Sequence, residues 1–361
     1  MTSAQMQLAR CRLWLGISNV GFWVLAACAG LCWLVICRAD APGTGVLCAI
    51  ALGGVAAQAM FDFIGGVTLV PGPRPSVFAF LRGWSHGVLG HALVLAGVGI
   101  ASAFSLRLTG GFGAGIVLAT VALALGRRHL LRVIGGVATT ELAHDGEKIL
   151  TAAVNDPAFT GGIVGFGRRA KSLLPAKWLD DLPKPELAAE SSRRRWQIAH
   201  SLPARAFVLI QFWNLLGTFI GTQVFHLADR TPAVALLGHA CWMTLWAFAS
   251  LLVLSALSRK AVLAADHAAG DSGHDPRAWI ARFPNLLGED GSPNAAVQTI
   301  FYPVPSAEMR LRQLDHPTTG FIPGNLARSN LYYSWATFTL LGRAVHCNIG
   351  RPALWVFPPS A

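Results

Sequence analysis

The chain has 361 residues, 53% of them hydrophobic and only 13% charged, with a mean hydropathy of +0.49. That balance excludes an ordinary soluble domain, which would leave large apolar patches facing water. The net charge of +11 does not point to nucleic acid, because the Arg and Lys residues cluster beside apolar runs instead of interleaving with aromatics on a polar face. The expected surroundings are a lipid bilayer, with no nucleic-acid partner.

Taken in order, the chain opens with a short basic segment, Met1 to Arg12, followed by an apolar run from Leu13 to Ile36. About 20 apolar residues suffice to cross a bilayer. The run is too long for a typical signal-peptide core and no small-residue cleavage site follows it, so it is read as a retained span. Further spans are expected at about Gly45 to Val70, His86 to Leu106, Gly111 to Gly126, Ala206 to Leu227 and Ala233 to Leu257. Cys11, Cys28, Cys32, Cys37 and Cys48 fall in or near the first two spans and Cys241 in the last. They are expected as small buried apolar residues and not as a disulfide framework.

Asp62 interrupts the second span within Phe61-Asp-Phe-Ile-Gly-Gly66. A carboxylate there is expensive. One reading pairs it with Arg74 or Arg82 near the interface; the other makes it part of a proton or transport path. The polar stretch from Arg127 to about Ala204 carries a predicted helix through Glu141 to Val154, with Glu141 and Asp145 on one face. A glycine-bearing turn at Phe159 to Gly162 and a strand-like Ser172-Leu-Leu-Pro175 follow. Beyond Ser258 the chain is polar again, and Leu331 to Phe357 reads as a packed apolar segment, not a seventh span. With the N-terminus inside, Arg10, Arg12, Arg74, Arg82, the Arg127 to Arg205 region and everything after Arg259 fall on the cytoplasmic side. Only Arg38, Arg107 and Arg230 fall outside, so both termini are expected in the cytoplasm.

Several constellations carry little chemistry. His267, His274, His316 and His346 with Cys347 show no dependable ligand spacing. The patch Glu141, His144, Asp145 and Glu147 reads as a solvated face. Gly161 to Gly167 lacks both the Rossmann spacing and the Lys-Ser/Thr pair of a phosphate loop.

Three blocks line up with one family. Ala158-Phe-Thr-Gly-Gly162, Ser172 to Pro175 and Glu186-Leu-Ala-Ala189 come first, then Ser258-Arg-Lys-Ala-Val-Leu-Ala-Ala-Asp266, then Tyr302-Pro-Val-Pro-Ser-Ala-Glu-Met-Arg-Leu-Arg-Gln-Leu314. Over Ala158 to Leu314 the chain resembles the HtpX and CAAX prenyl protease-type membrane zinc peptidases, metallopeptidase family forty-eight. Pro303, Glu308, Arg310 and Leu311 keep that family's third block. The resemblance implies a mainly α, polytopic membrane protein with about six transmembrane helices. It also implies a cytoplasmic, mostly helical gluzincin-like domain split by the last two spans. The units are then residues 1–126 (four spans), 127–204 (first peptidase-like half), 205–257 (a two-span hairpin), 258–330 (second half) and 331–361 (packed C-terminal segment).

In that family two histidines at i and i+4 reach one zinc, and a glutamate beside the first acts as general base. Carried over, the first His falls on Arg193, the Glu on Arg194, the second His on Gln197 and the third ligand on Val262. A register starting at His200 fits worse, because Pro203 enters the motif helix and the base is still missing. Asp266 matches the acid that supports a zinc-bound histidine. Either Arg193 or Arg194 pairs with Asp266 in the vacated metal site, or the arginines face the lipid surface and Asp266 is solvated. The expected protein is a pseudopeptidase that holds a polypeptide without cutting it, with no metal and no cofactor. An active peptidase with non-standard zinc ligands and a small-molecule or ion transporter are the alternatives.

Overall fold

The computed structural model describes residues 3–36, 43–70, 72–144, 146–290, 293–294, 297–298, 302, 304–316 and 318–359. Cys37, Arg38, Asp40, Pro71, Asp145, Gly291, Ser292 and Pro303 lie outside them. Six helices are long and apolar enough to cross a membrane. These are α1 (Ser3–Ile36), α2 (Thr44–Phe63), α3 (Val77–Thr109), α4 (Gly113–Gly135), α7 (Leu202–Val224) and α8 (Pro232–Asp271). Their outer faces carry exposed large side chains such as Leu25, Leu52, Leu93, Ile100, Leu125 and Phe212. Such a belt has a favourable solvent only in hydrocarbon.

Several expected boundaries move. α4 continues to Gly135, so Arg127 and Arg128 belong to the helix and not to the loop after it. The predicted helix through Glu141 to Val154 is instead a hairpin of β1 (Thr139–His144) and β2 (Glu147–Ala152). Gly146 sits at φ +78 in its turn, a conformation that only glycine adopts freely. Two threonines and the alternating Ile149 and Thr151 favour an extended backbone over a helix there. Two further strands, β3 (Gly162–Val164) and β4 (Lys171–Pro175), complete a sheet of order β1-β2-β4-β3. The pair β2–β4 is parallel and the other two are antiparallel, which leaves β3 on an edge. Cys11, Cys28, Cys32 and Cys48 are free thiols on exposed helix surfaces, not buried fillers. Facing lipid, a small apolar side chain is as well placed as in a core.

The short α5 (Ala176–Asp181) leads through Pro183 into α6 (Lys184–Ala199), whose first turn holds Pro185 and Glu186. Proline suits that turn because its missing N–H would have had no intrahelical partner. At about 1.5 Å per residue α8 is about 60 Å long, roughly twice the hydrocarbon thickness. Its last turns therefore leave the membrane as a continuous helix and pack on α6. α9 (Arg277–Leu287), α10 (Ala307–Gln313) and α11 (Leu326–Tyr333) close the polar domain.

The segment after α11 forms no span. Its Trp335, Trp355 and Phe357 are buried, and Arg127 of α4 stacks 4.1 Å from the Phe357 ring while donating to the Val356 carbonyl. Asp62 finds its partner here, and it is neither Arg74 nor Arg82. Arg343 Nη2 donates to Asp62 Oδ2 at 2.8 Å, and Trp84 Nε1 donates to the same oxygen at 2.9 Å. Gln58 and the Gly350 amide donate to Oδ1 at 3.0 and 2.8 Å. The close approach of Gly350 needs both its own φ of +71 and the absence of side chains at Gly65 and Gly66. A Cβ on Gly66 would stand 2.3 Å from the Phe80 ring.

Candidate functional site

α6 turns one stripe inward: Glu186, Glu190, Arg193, Arg194 and Gln197 follow at steps of three and four, the spacing of one helical face. Leu187 and Ala189 beside them anchor the helix to the core. The charged members would be costly there without partners. The fold supplies them from four directions.

Arg193 and Asp266 are each 1% exposed, with Arg193 Nε 2.7 Å from Asp266 Oδ1. The Arg193 Nη1 donates to Glu190 Oε2 at 2.5 Å. Asp266 is also gripped by Arg310 of α10, whose Nε and Nη2 donate to its two oxygens at 2.7 and 2.8 Å. This planar fork on a carboxylate is the geometry that Arg provides and Lys does not. Trp279 of α9 donates to Glu190 Oε2 at 2.9 Å. Two carboxylates and three guanidiniums, counting Arg194, thus meet away from water. Burial by itself would raise the pKa of Glu190, but attraction from Arg194 and Arg193 outweighs it and holds the carboxyl below its ordinary value.

Arg194 does a different task. Its Nε donates to Glu190 Oε1 at 2.6 Å, while Nη2 donates to the Thr160 carbonyl at 2.6 Å and Nη1 to the Leu173 and Gly162 carbonyls at 2.5 and 3.2 Å. Arg194 therefore ties α6 to the end of β3 and to β4. Gly161 permits this approach at φ +73, where a Cβ would lie 1.9 Å from the Leu173 carbonyl oxygen. At the rim of this face buried Glu186 accepts from half-exposed Arg282, Nε at 2.6 Å and Nη2 at 2.9 Å.

Gln197, Arg194 and Val262 all line one cleft, about 80 Å³ in volume, bounded on its other sides by Gly162, Ile163 and Ser329. The α6–α8 packing thus gathers three of the positions singled out in the sequence at one cleft and buries Arg193 and Asp266 in the adjoining ion cluster. Zinc does not fit them. Two guanidiniums, an amide and an isopropyl group offer no ordinary ligand, and both nearby carboxylates are already bound by arginines. Among the described residues no group of three His, Cys, Asp or Glu side chains stands close enough to hold a metal. The scattered histidines go elsewhere: His267 to Asp271 and the Leu314 carbonyl, His346 to Glu289, and His200 to the Trp196 carbonyl.

Sequence reasoning missed Glu190 and Trp279, and it named Arg310 without its partner Asp266. Glu190 carries a readable signal, since it precedes Arg193 by three residues and Arg194 by four. Trp279 carries none. Comparison of the chain with described families, curated proteins and solved structures finds no match. The protein is a mainly helical, multi-pass membrane protein with six candidate spans.

Proposed function

We propose that this protein is a membrane-embedded pseudopeptidase: it keeps the frame of a membrane zinc peptidase and holds an extended polypeptide without cleaving it. The observation that carries the reading is the Arg193 guanidinium set between Glu190 and Asp266, at the position where the resemblance calls for a zinc ligand. A fixed positive charge there opposes a divalent cation. β3 supports the binding half of the reading, because an edge strand beside a cleft can take up an extended chain by main-chain pairing. Arg127, Arg194 and Arg328 around the same cleft favour a segment rich in carboxylates. The distribution of basic residues supports an orientation with both termini in the cytoplasm, in a bacterial-type inner or plasma membrane.

The test is binding of fluorescein-labelled casein to the purified full chain in nanodiscs, read by anisotropy and followed on a gel. Saturable binding with intact casein is expected. Ile163→Pro, which disturbs the edge strand, and Ser329→Trp, which adds an indole to the cleft lining, should each weaken binding by about tenfold. Cleavage of the casein, or affinity unchanged in both variants, would overturn the reading.

A further inference from the structure

A second cavity, of about 280 Å³, lies between α1, α8 and the C-terminal segment and meets the cleft described above at Arg328. Its walls are apolar: Ile17 and Val20 from α1, Phe248 and Leu252 from α8, and Leu331 and Val345 from the C-terminal part. Leu252 is itself exposed on the span surface, so the cavity borders hydrocarbon. Gly16 allows α1 to come this close, since a Cβ there would stand 2.6 Å from the His346 amide nitrogen.

One end of the cavity is strongly cationic. Arg328 lines it while only 3% exposed. Its Nη1 donates to Cys347 Sγ at 2.8 Å, but among the described residues its Nε and Nη2 have no hydrogen-bond acceptor. Nη2 comes no closer than 3.6 Å to Glu289 Oε1, an oxygen that His346 Nε2 already approaches at 3.1 Å. Arg12 of α1, also 3% exposed, donates from Nη2 to the His346 carbonyl at 3.2 Å and leaves Nη1 without an acceptor. Arg12, Arg328 and Arg351 stand here against two carboxylates, Glu289 and Asp156, and Arg351 already holds Asp156 at 2.7 Å, so one guanidinium charge has no counterpart. Buried N–H groups of charged side chains are expensive when unpaired. They call for an anion.

We infer that this cavity is the binding site of one anionic phospholipid drawn from the surrounding bilayer. Its phosphate would complete the hydrogen bonds of Arg328, its negative charge would balance the cluster that includes Arg12, and an acyl chain would fill the groove between α1 and α8. A free anion would satisfy the arginines but leave the apolar cavity empty, and a zwitterionic lipid would fill it while bringing a quaternary ammonium against the unbalanced guanidinium charge. An anionic lipid matches both halves. Basic pockets between transmembrane helices near an interface are a recurring way to hold such headgroups.

The experiment is native mass spectrometry of the delipidated full chain titrated with phosphatidylglycerol or with phosphatidylcholine. One phosphatidylglycerol should be retained, with apparent affinity about tenfold above that for phosphatidylcholine. Arg328→Gln should remove this preference. Gly21→Phe supplies an independent check that leaves the ion cluster intact. Gly21 lines the cavity and a Cβ there meets nothing within 4 Å, so the ring can occupy the lipid's place. It should lose the retained lipid while folding normally. Equal retention of the two lipids, or a phosphatidylglycerol preference that survives both substitutions, would overturn the assignment and leave only general attraction to a basic surface.

Discussion

Replacing Asp266 with alanine is expected to cost the folded protein about 3–5 kcal/mol. The carboxylate is the shared partner of Arg193 and Arg310, and all three side chains are about 1% exposed. Removing it leaves two guanidiniums in a water-poor interior with only Glu190 nearby, so the loss is mostly the penalty of stranded charge. That origin has a consequence. In a double-mutant cycle, Arg193→Leu should cost markedly less on an Asp266→Leu background than alone, because the penalty has been removed with the carboxylate. The pair of buried Glu186 with half-exposed Arg282 supplies the contrast. Arg282 is 42% exposed, so water can reach the carboxylate it leaves, and Arg282→Ala should cost clearly less than Asp266→Ala, about 1–2 kcal/mol. Unfolding of the detergent-solubilised chain, followed by tryptophan fluorescence, measures all of these. A loss at Asp266 no larger than that at Arg282 would contradict the ion cluster.

Asp62→Ala is expected to have an effect of similar size, about 3–5 kcal/mol, for a related reason in a different setting. Asp62 is fully buried, and four donors saturate its oxygens: Gln58, Trp84, Arg343 and the Gly350 amide. Two of those donors belong to the C-terminal segment. The carboxylate thus fastens that segment to α2 and α3 and neutralises Arg343, which lies 3.8 Å over the Trp355 ring. A group so fully engaged has no free lone pair to offer a transported ion. Loss of Asp62 should also expose the C-terminal segment to limited proteolysis. Unchanged stability and an unchanged protease pattern would mean that the segment is held by its aromatic side chains alone.

The parts of this architecture that were legible in the sequence are those set by local composition. Six apolar runs read as six spans because only a helix of that length satisfies its backbone in hydrocarbon. Arg193, Arg194 and Gln197 were singled out through the resemblance, and of the two readings of the arginines that were left open the structure has the one in which Arg193 pairs with Asp266. What the sequence hid was set by contacts between distant stretches. Asp62 meets Arg343 across 281 positions, and no local pattern marks that choice over Arg74 or Arg82. Arg310 belonged to a recognisable block, but its fork on Asp266 depends on how α10 packs against α8. The β1–β2 hairpin was misread because Glu141 and Asp145 sit at a helical spacing by chance. The backbone there follows its threonines and the turn at Gly146 instead.

The central claim is that guanidiniums have taken over the place of a metal. Elemental analysis of the full chain, purified without chelator, tests it most directly when paired with a casein-cleavage assay. The expected result is zinc far below one atom per chain and casein left intact, with or without chelator. Stoichiometric zinc together with chelator-sensitive cleavage would contradict the account.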